Sequence, residues 1–89
     1  MVKRLAVLVA ALVLLTPGVA EAANGRIGVR ETVCANDLFV RTSPGGAWMG
    51  TLHSGETFLV EGPRSSGYIY GFAYGHINRH GWVQDGWFC

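Results

Sequence analysis

Apolar positions along the chain change character sharply near residue 16. Residues 5–15 form an unbroken Leu/Ala/Val stretch, preceded by Lys3 and Arg4 and broken by Thr16-Pro17-Gly18. Beyond it no stretch keeps a helical period. Short runs rich in Val, Thr, Phe, Tyr and Trp instead alternate with clusters of Gly, Ser, Pro and Asn, which is an all-β signature. The runs predict strands at about 27–33, 38–42, 48–52, 57–61, 68–74 and 80–84. Turns are expected at 43–46, 53–55, 62–67 and 76–79, and 23–28 reads as a short leader before the first strand.

Two runs are informative at the level of single side chains. In 38–42, Leu38, Val40 and Thr42 share one face and Arg41 points the other way. In 68–74, Tyr68, Tyr70, Phe72 and Tyr74 line one face, while Ile69, Gly71, Ala73 and Gly75 line the other. The rings are either the core of a small barrel or an outward surface. Three of the four carry a hydroxyl that wants a partner if buried, and Gly and Ala suit a crowded interior.

The apolar N-terminal stretch is too short to span a hydrocarbon core of about 30 Å. With its basic start and the small residues Ala20 and Ala22, it reads as a secretory signal peptide, 1–22, cleaved after Ala22. The domain then begins with leader and first strand over 23–32 and continues over 33–89. Removing Lys3, Arg4 and Glu21 takes the formal net charge from +1 to zero. Arg26, Arg30, Arg41, Arg64 and Arg79 are scattered, which leaves no basic stripe for nucleic acid and no patch for anionic lipid.

A mature chain of roughly 70 residues is short of core and commonly cross-linked when exported. Cys34 and Cys89 are the only cysteines, and the predicted disulfide ties the last residue to the first strand. A thiol nucleophile working with His53, His76 or His80 is the competing reading. A zinc site on His76 and His80 is disfavoured, because zinc motifs of this size bring paired Cys close in sequence. No metal or other cofactor is expected, and the two histidines read as flanking a hairpin tip. Asp37 and Asp85 read as turn and strand-end residues, having no second carboxylate nearby in sequence. Trp87 and Phe88 are expected to close the bottom of the barrel.

Leu38-Phe39-Val40-Arg41-Thr42-Ser43-Pro44-Gly45, then Met49-Gly50-Thr51-Leu52-His53-Ser54-Gly55, then Gly81-Trp82-Val83 follow one another in order. Together they resemble the bacterial SH3 (SH3b) family, with its V-R-x-x-P-G, I-G-T-L-x-x-G and late G-W-V segments, and 70–83 is similar to the variant in small exported actinobacterial proteins. The resemblance covers nearly all of the mature domain. It implies a small SH3-like barrel of five to six short antiparallel strands and a non-catalytic binding module. Its implied ligand is peptidoglycan or cell-wall peptide, held in an aromatic groove. Tyr68, Tyr70, Tyr74, His76, Trp82 and Trp48 are the groove candidates, although the Trp82 ring could equally cap the core. The alternative function is a secreted effector or inhibitor that binds an extracellular or cell-surface protein. The protein is thus expected to be secreted, outside the cell or on its wall, as a monomer and not an enzyme. Phe39, where the family usually has a polar residue, would mark a partner surface if it faces outward.

Overall fold

Alternation of buried with more exposed positions organises Asp37–Arg41, Tyr68–Ala73 and the first half of Thr57–Ser65. The computed structural model describes residues 21–89, so the apolar segment read as a signal peptide lies outside the described residues. Six strands form: β1 (Arg30–Thr32), β2 (Asp37–Arg41), β3 (Trp48–His53), β4 (Thr57–Ser65), β5 (Tyr68–Ala73) and β6 (Arg79–Gln84). All pair antiparallel in one sheet of order β1-β4-β5-β6-β2-β3, and no helix occurs among the described residues. The expected class is what forms: a small all-β domain of six short antiparallel strands tied by a disulfide.

One face of the sheet supplies nearly the whole core. Leu38 and Val40, Leu52, Phe58 and Val60, Ile69 and Ala73, and Val83 are buried, joined by Val33 and Phe88 from outside the strands. Because these residues form a single cluster, the sheet must curl around them. Curling crowds the inner face, and two glycines directly paired there, Gly71 and Gly81, leave room for the side chains of the strands beside them. A Cβ on Gly71 would stand 2.6 Å from the Phe58 ring, and one on Gly81 would stand 2.5 Å from Val40 Cγ1. Neither position has room for a side chain.

The ends of the domain are fastened together. Cys34 and Cys89 are disulfide-bonded with their Cα atoms 5.6 Å apart. Alongside, Ala23 and Phe88 exchange two backbone hydrogen bonds, and the Cys34 and Cys89 amides donate to the Trp87 and Thr32 carbonyls. Asp85 accepts from the Gly25 and Gly86 amides and from Arg64 Nε at 2.8 Å, while Arg64 also reaches the Gly25 carbonyl. The expected leader is therefore packed: Gly25 is buried, and a Cβ there would meet Val60 and Phe88.

Several sequence expectations are corrected. The first strand is Arg30–Thr32 rather than 27–33, because Gly28 takes φ +89° and the Val29 amide turns back to the Arg26 carbonyl. The turn expected over 62–67 contracts to Ser66-Gly67, both at positive φ, since β4 continues through Gly62-Pro63 to Ser65. Pro63, which has no amide to donate, lies where the β4–β5 ladder shifts between Val60 and Arg64, and β1 pairs only with 57–59. Thr42 is exposed instead of following Leu38 and Val40 inward, because the β2–β3 register slips between Val40 and Arg41. Trp87 is 42% exposed, so Phe88 alone of that pair closes the core, stacked on Phe58 at 5.9 Å.

Candidate functional site

Directly paired residues in an antiparallel sheet share a face. Opposite the core, that rule lines up Leu59, Phe72 and His80 in one row and Tyr70, Trp82 and Arg41 in the next. The rings make a continuous band. Tyr74 meets Phe72 at 4.8 Å, Phe72 meets His80 at 4.9 Å, His80 stacks on Tyr70 at 5.6 Å, and Tyr70 meets Trp82 at 5.3 Å. At one end the Arg30 guanidinium lies 3.7 Å over the Tyr74 ring, with its Nε donating to Thr57 Oγ1. Beside the band, His80 Nε2 lies 3.2 Å from Glu61 Oε1. Tyr70, Phe72, Tyr74 and Trp82 are half-buried and His80 is exposed, so each ring keeps an accessible surface.

Beyond the other end of the band opens a cleft of about 540 Å³. Tyr68 and Gln84, a directly opposed pair, form one wall, and Phe39, Arg41, Asp37 and Trp87 are among the other residues that line the cleft. Arg41 is held by donating from Nη1 to the Gly46 carbonyl at 2.9 Å, and its guanidinium stands 5.6 Å from the Phe39 ring. Aromatic walls with one cation and one carboxylate suit an extended chain carrying amides and a charge.

The six groove candidates separate into four places. Tyr70, Tyr74 and Trp82 belong to the band, and Tyr68 belongs to the cleft. Trp48, 61% exposed, packs edge-on against Phe39 at 6.3 Å and donates from its indole to Thr51 Oγ1. His76 goes elsewhere, to the end of the sheet where the β3–β4 and β5–β6 turns meet. Sequence reasoning did not place Phe72, His80 or Arg30 in the site. For His80 a signal existed, two residues before Trp82 and hence on its face. Arg30 had none, because only the pairing of β1 on β4 brings it to Tyr74.

At the turn end, Glu56 Oε1 accepts from the His53 amide at 2.7 Å, and the Glu56 amide returns a bond to the His53 carbonyl at 3.0 Å. Gly55, at φ +92°, allows that tight reversal, as the sequence predicted. The Glu56 carboxyl is held below its ordinary range, first by the His53 amide and then, against the cost of burial, by His76. Glu56 Oε2 lies 3.1 Å from His76 Nδ1, and His53 Nδ1 lies 3.0 Å from Asp37 Oδ1. The His53 and His76 rings stack, 5.7 Å apart and 16° from parallel. His76 lies within the β5–β6 turn rather than beside it, His80 is the second residue of β6, and the two face different partners.

Both cysteines are consumed in the disulfide, which removes the thiol-nucleophile reading. No family model, curated protein or solved structure matches this chain.

Proposed function

We propose that the protein is an exported, non-catalytic binding module that takes cell-wall peptide across its aromatic band and adjoining cleft. One observation carries this reading: Tyr70, Phe72, Tyr74 and Trp82 lie on the sheet face opposite the core, which is filled without them. A row of rings in mutual contact, ending at a cleft with Arg41 and Asp37, offers stacking surface with a polar anchor at one end. The disulfide is compatible with an extracellular location. The SH3b resemblance of 38–55 and 81–83 points the same way, toward a groove floored by aromatics.

Co-sedimentation with purified peptidoglycan sacculi tests it. Saturable binding is expected, and Tyr70→Ala combined with Trp82→Ala should weaken it more than 10-fold, the scale on which aromatic anchors act. A folded protein that stays in the supernatant at every salt concentration would rule out the wall as ligand. The exposed Phe39–Trp48 pair favours a second reading, an extracellular protein partner. Under that reading Phe39→Ser, and not the Tyr70/Trp82 double substitution, would abolish capture of the partner.

A further inference from the structure

We propose that His53, Glu56 and His76 form a binding site for one late first-row divalent metal ion, zinc in the first instance. Each of the three offers one donor atom, and the three donors lie within 4.8 Å of one another. Two imidazoles and one carboxylate suit Zn²⁺, Ni²⁺ or Cu²⁺ and are poorly matched to Mg²⁺ or Ca²⁺, which want oxygen ligands. Three protein donors are also the set that leaves a fourth position for water or an incoming ligand atom.

The surroundings are built for donors. Asp37 Oδ1 lies 3.0 Å from His53 Nδ1, so the proton resides there and the Nε2 lone pair is left to bind. That carboxylate–histidine arrangement commonly orients a metal-bound imidazole. Glu56 spends Oε1 on the His53 amide, which fixes the carboxylate with Oε2 turned to His76. Gly75 keeps the space open, since a Cβ there would stand 2.5 Å from Glu56 Oε2. Ile77 packs over Gly50, with Cδ1 3.2 Å from where a Gly50 Cβ would sit, and so seats the turn that carries His76 above β3.

Donors bound at about 2.0–2.1 Å on a tetrahedral ion stand about 3.3 Å apart. The His76 Nδ1 to Glu56 Oε2 separation of 3.1 Å is already near that value, and the proton these two atoms share in the metal-free protein is the one the ion displaces, the ring keeping its other proton on Nε2. Remaining closure falls to imidazoles whose side chains are 57% and 58% exposed and can rotate. His80, engaged with Glu61 and Tyr70, takes no part.

The test is calorimetric titration of ZnCl₂ into metal-stripped, oxidised protein made from the full sequence, with histidine imidazole ¹⁵N spectra recorded alongside. One zinc per chain is expected, with shifts at His53 and His76 and none at His80. His76→Ala and Glu56→Gln should each lower affinity at least 10-fold, and His80→Ala should leave it unchanged. Asp37→Asn, which removes a positioning residue, should lower affinity about 10- to 100-fold. The metal-free thermal midpoint of each variant shows whether an affinity loss is separate from a loss of fold. Absence of saturable zinc uptake would overturn the assignment, as would unaltered affinity in a folded His76→Ala protein or displacement of zinc by excess Mg²⁺.

Discussion

The two faces of β5 are made by alternate residues of one strand and could hardly differ more. Facing inward are Ile69, Gly71 and Ala73, and facing outward are Tyr68, Tyr70 and Phe72. A rule that sends the bulkiest apolar groups inside fails here, because curvature sets the volume on each side. On the concave side the side chains of neighbouring strands crowd so closely that Gly71 and Gly81 are required, and aromatic filling comes from Phe58 and Phe88. The convex side has area to spare, and rings of adjacent strands cover it side by side. Size sorting by curvature leaves an aromatic surface that the fold does not consume.

That contrast can be broken most severely from the inside. Gly71→Val would drive its side chain against the Leu59 carbonyl and the Phe58 ring, so the loss should reach or exceed the roughly 3 kcal/mol at the top of the usual overpacking range. Chemical denaturation should show little or no folded protein. Reduction of Cys34–Cys89, which holds Phe88 against the inner face, should come next. The loop closes over a sequence separation of 55, for which the chain-entropy model gives about 4 kcal/mol, read as a lowered denaturation midpoint in reductant.

The inner face has one charged member, Glu31, only 6% exposed. It accepts from the Arg26 amide at 2.9 Å and from Arg26 Nε at 3.0 Å. The side-chain bond from Arg26, more than any other influence, holds its carboxyl below its ordinary value. The folded state therefore binds this proton less readily than the unfolded chain. The resulting stability is complete above the unfolded-chain value and is lost as pH falls through the lower folded one. Glu31→Gln should cost about 1–2 kcal/mol at neutral pH and flatten the acid limb of a stability–pH curve. A limb as steep as in the parent protein would assign acid sensitivity to another carboxylate.

Outward substitutions should do least to stability. Tyr70→Ala and Trp82→Ala each remove a half-buried ring without opening a core cavity, so thermal midpoints should drop by the equivalent of about 1 kcal/mol or less even where the pair together weakens the proposed sacculus binding. Unfolding of either variant would erase the distinction between the faces.

Much of the sheet was legible because period two is a local signal. Leu38 and Val40 are buried on the face that alternation gives them, Ile69 and Ala73 share one face as it requires although it left open which face of 68–74 is the core, and Gly55 adopts the positive φ that the 53–56 reversal needs. Local signals misled where pairing overrode them. Gly62-Pro63 reads as a turn, yet at a ladder irregularity a missing amide removes no bond that β1 could make. Thr42 follows the pattern until a register slip turns it outward. The site was half legible for a related reason. A single strand shows which residues share its face, and so revealed Tyr70 and Tyr74. It cannot show which strand lies beside it, and so concealed Arg30 on Tyr74 and His53 against His76.

The disulfide also decides how the domain would carry a mechanical load. Tension applied between the segment before Ala23 and Cys89 first meets the paired backbone bonds of Ala23 with Phe88. Once those yield, force runs along 23–33, enters Cys34 and leaves through the sulfur bridge to Cys89. Residues 35–88, with β2 to β6 and the whole aromatic band, lie off the load path inside a covalent loop. Pulled between those two points, the domain could lengthen only by peeling 23–33, which would lift Arg30 off Tyr74 while the rings themselves stayed within the covalent loop.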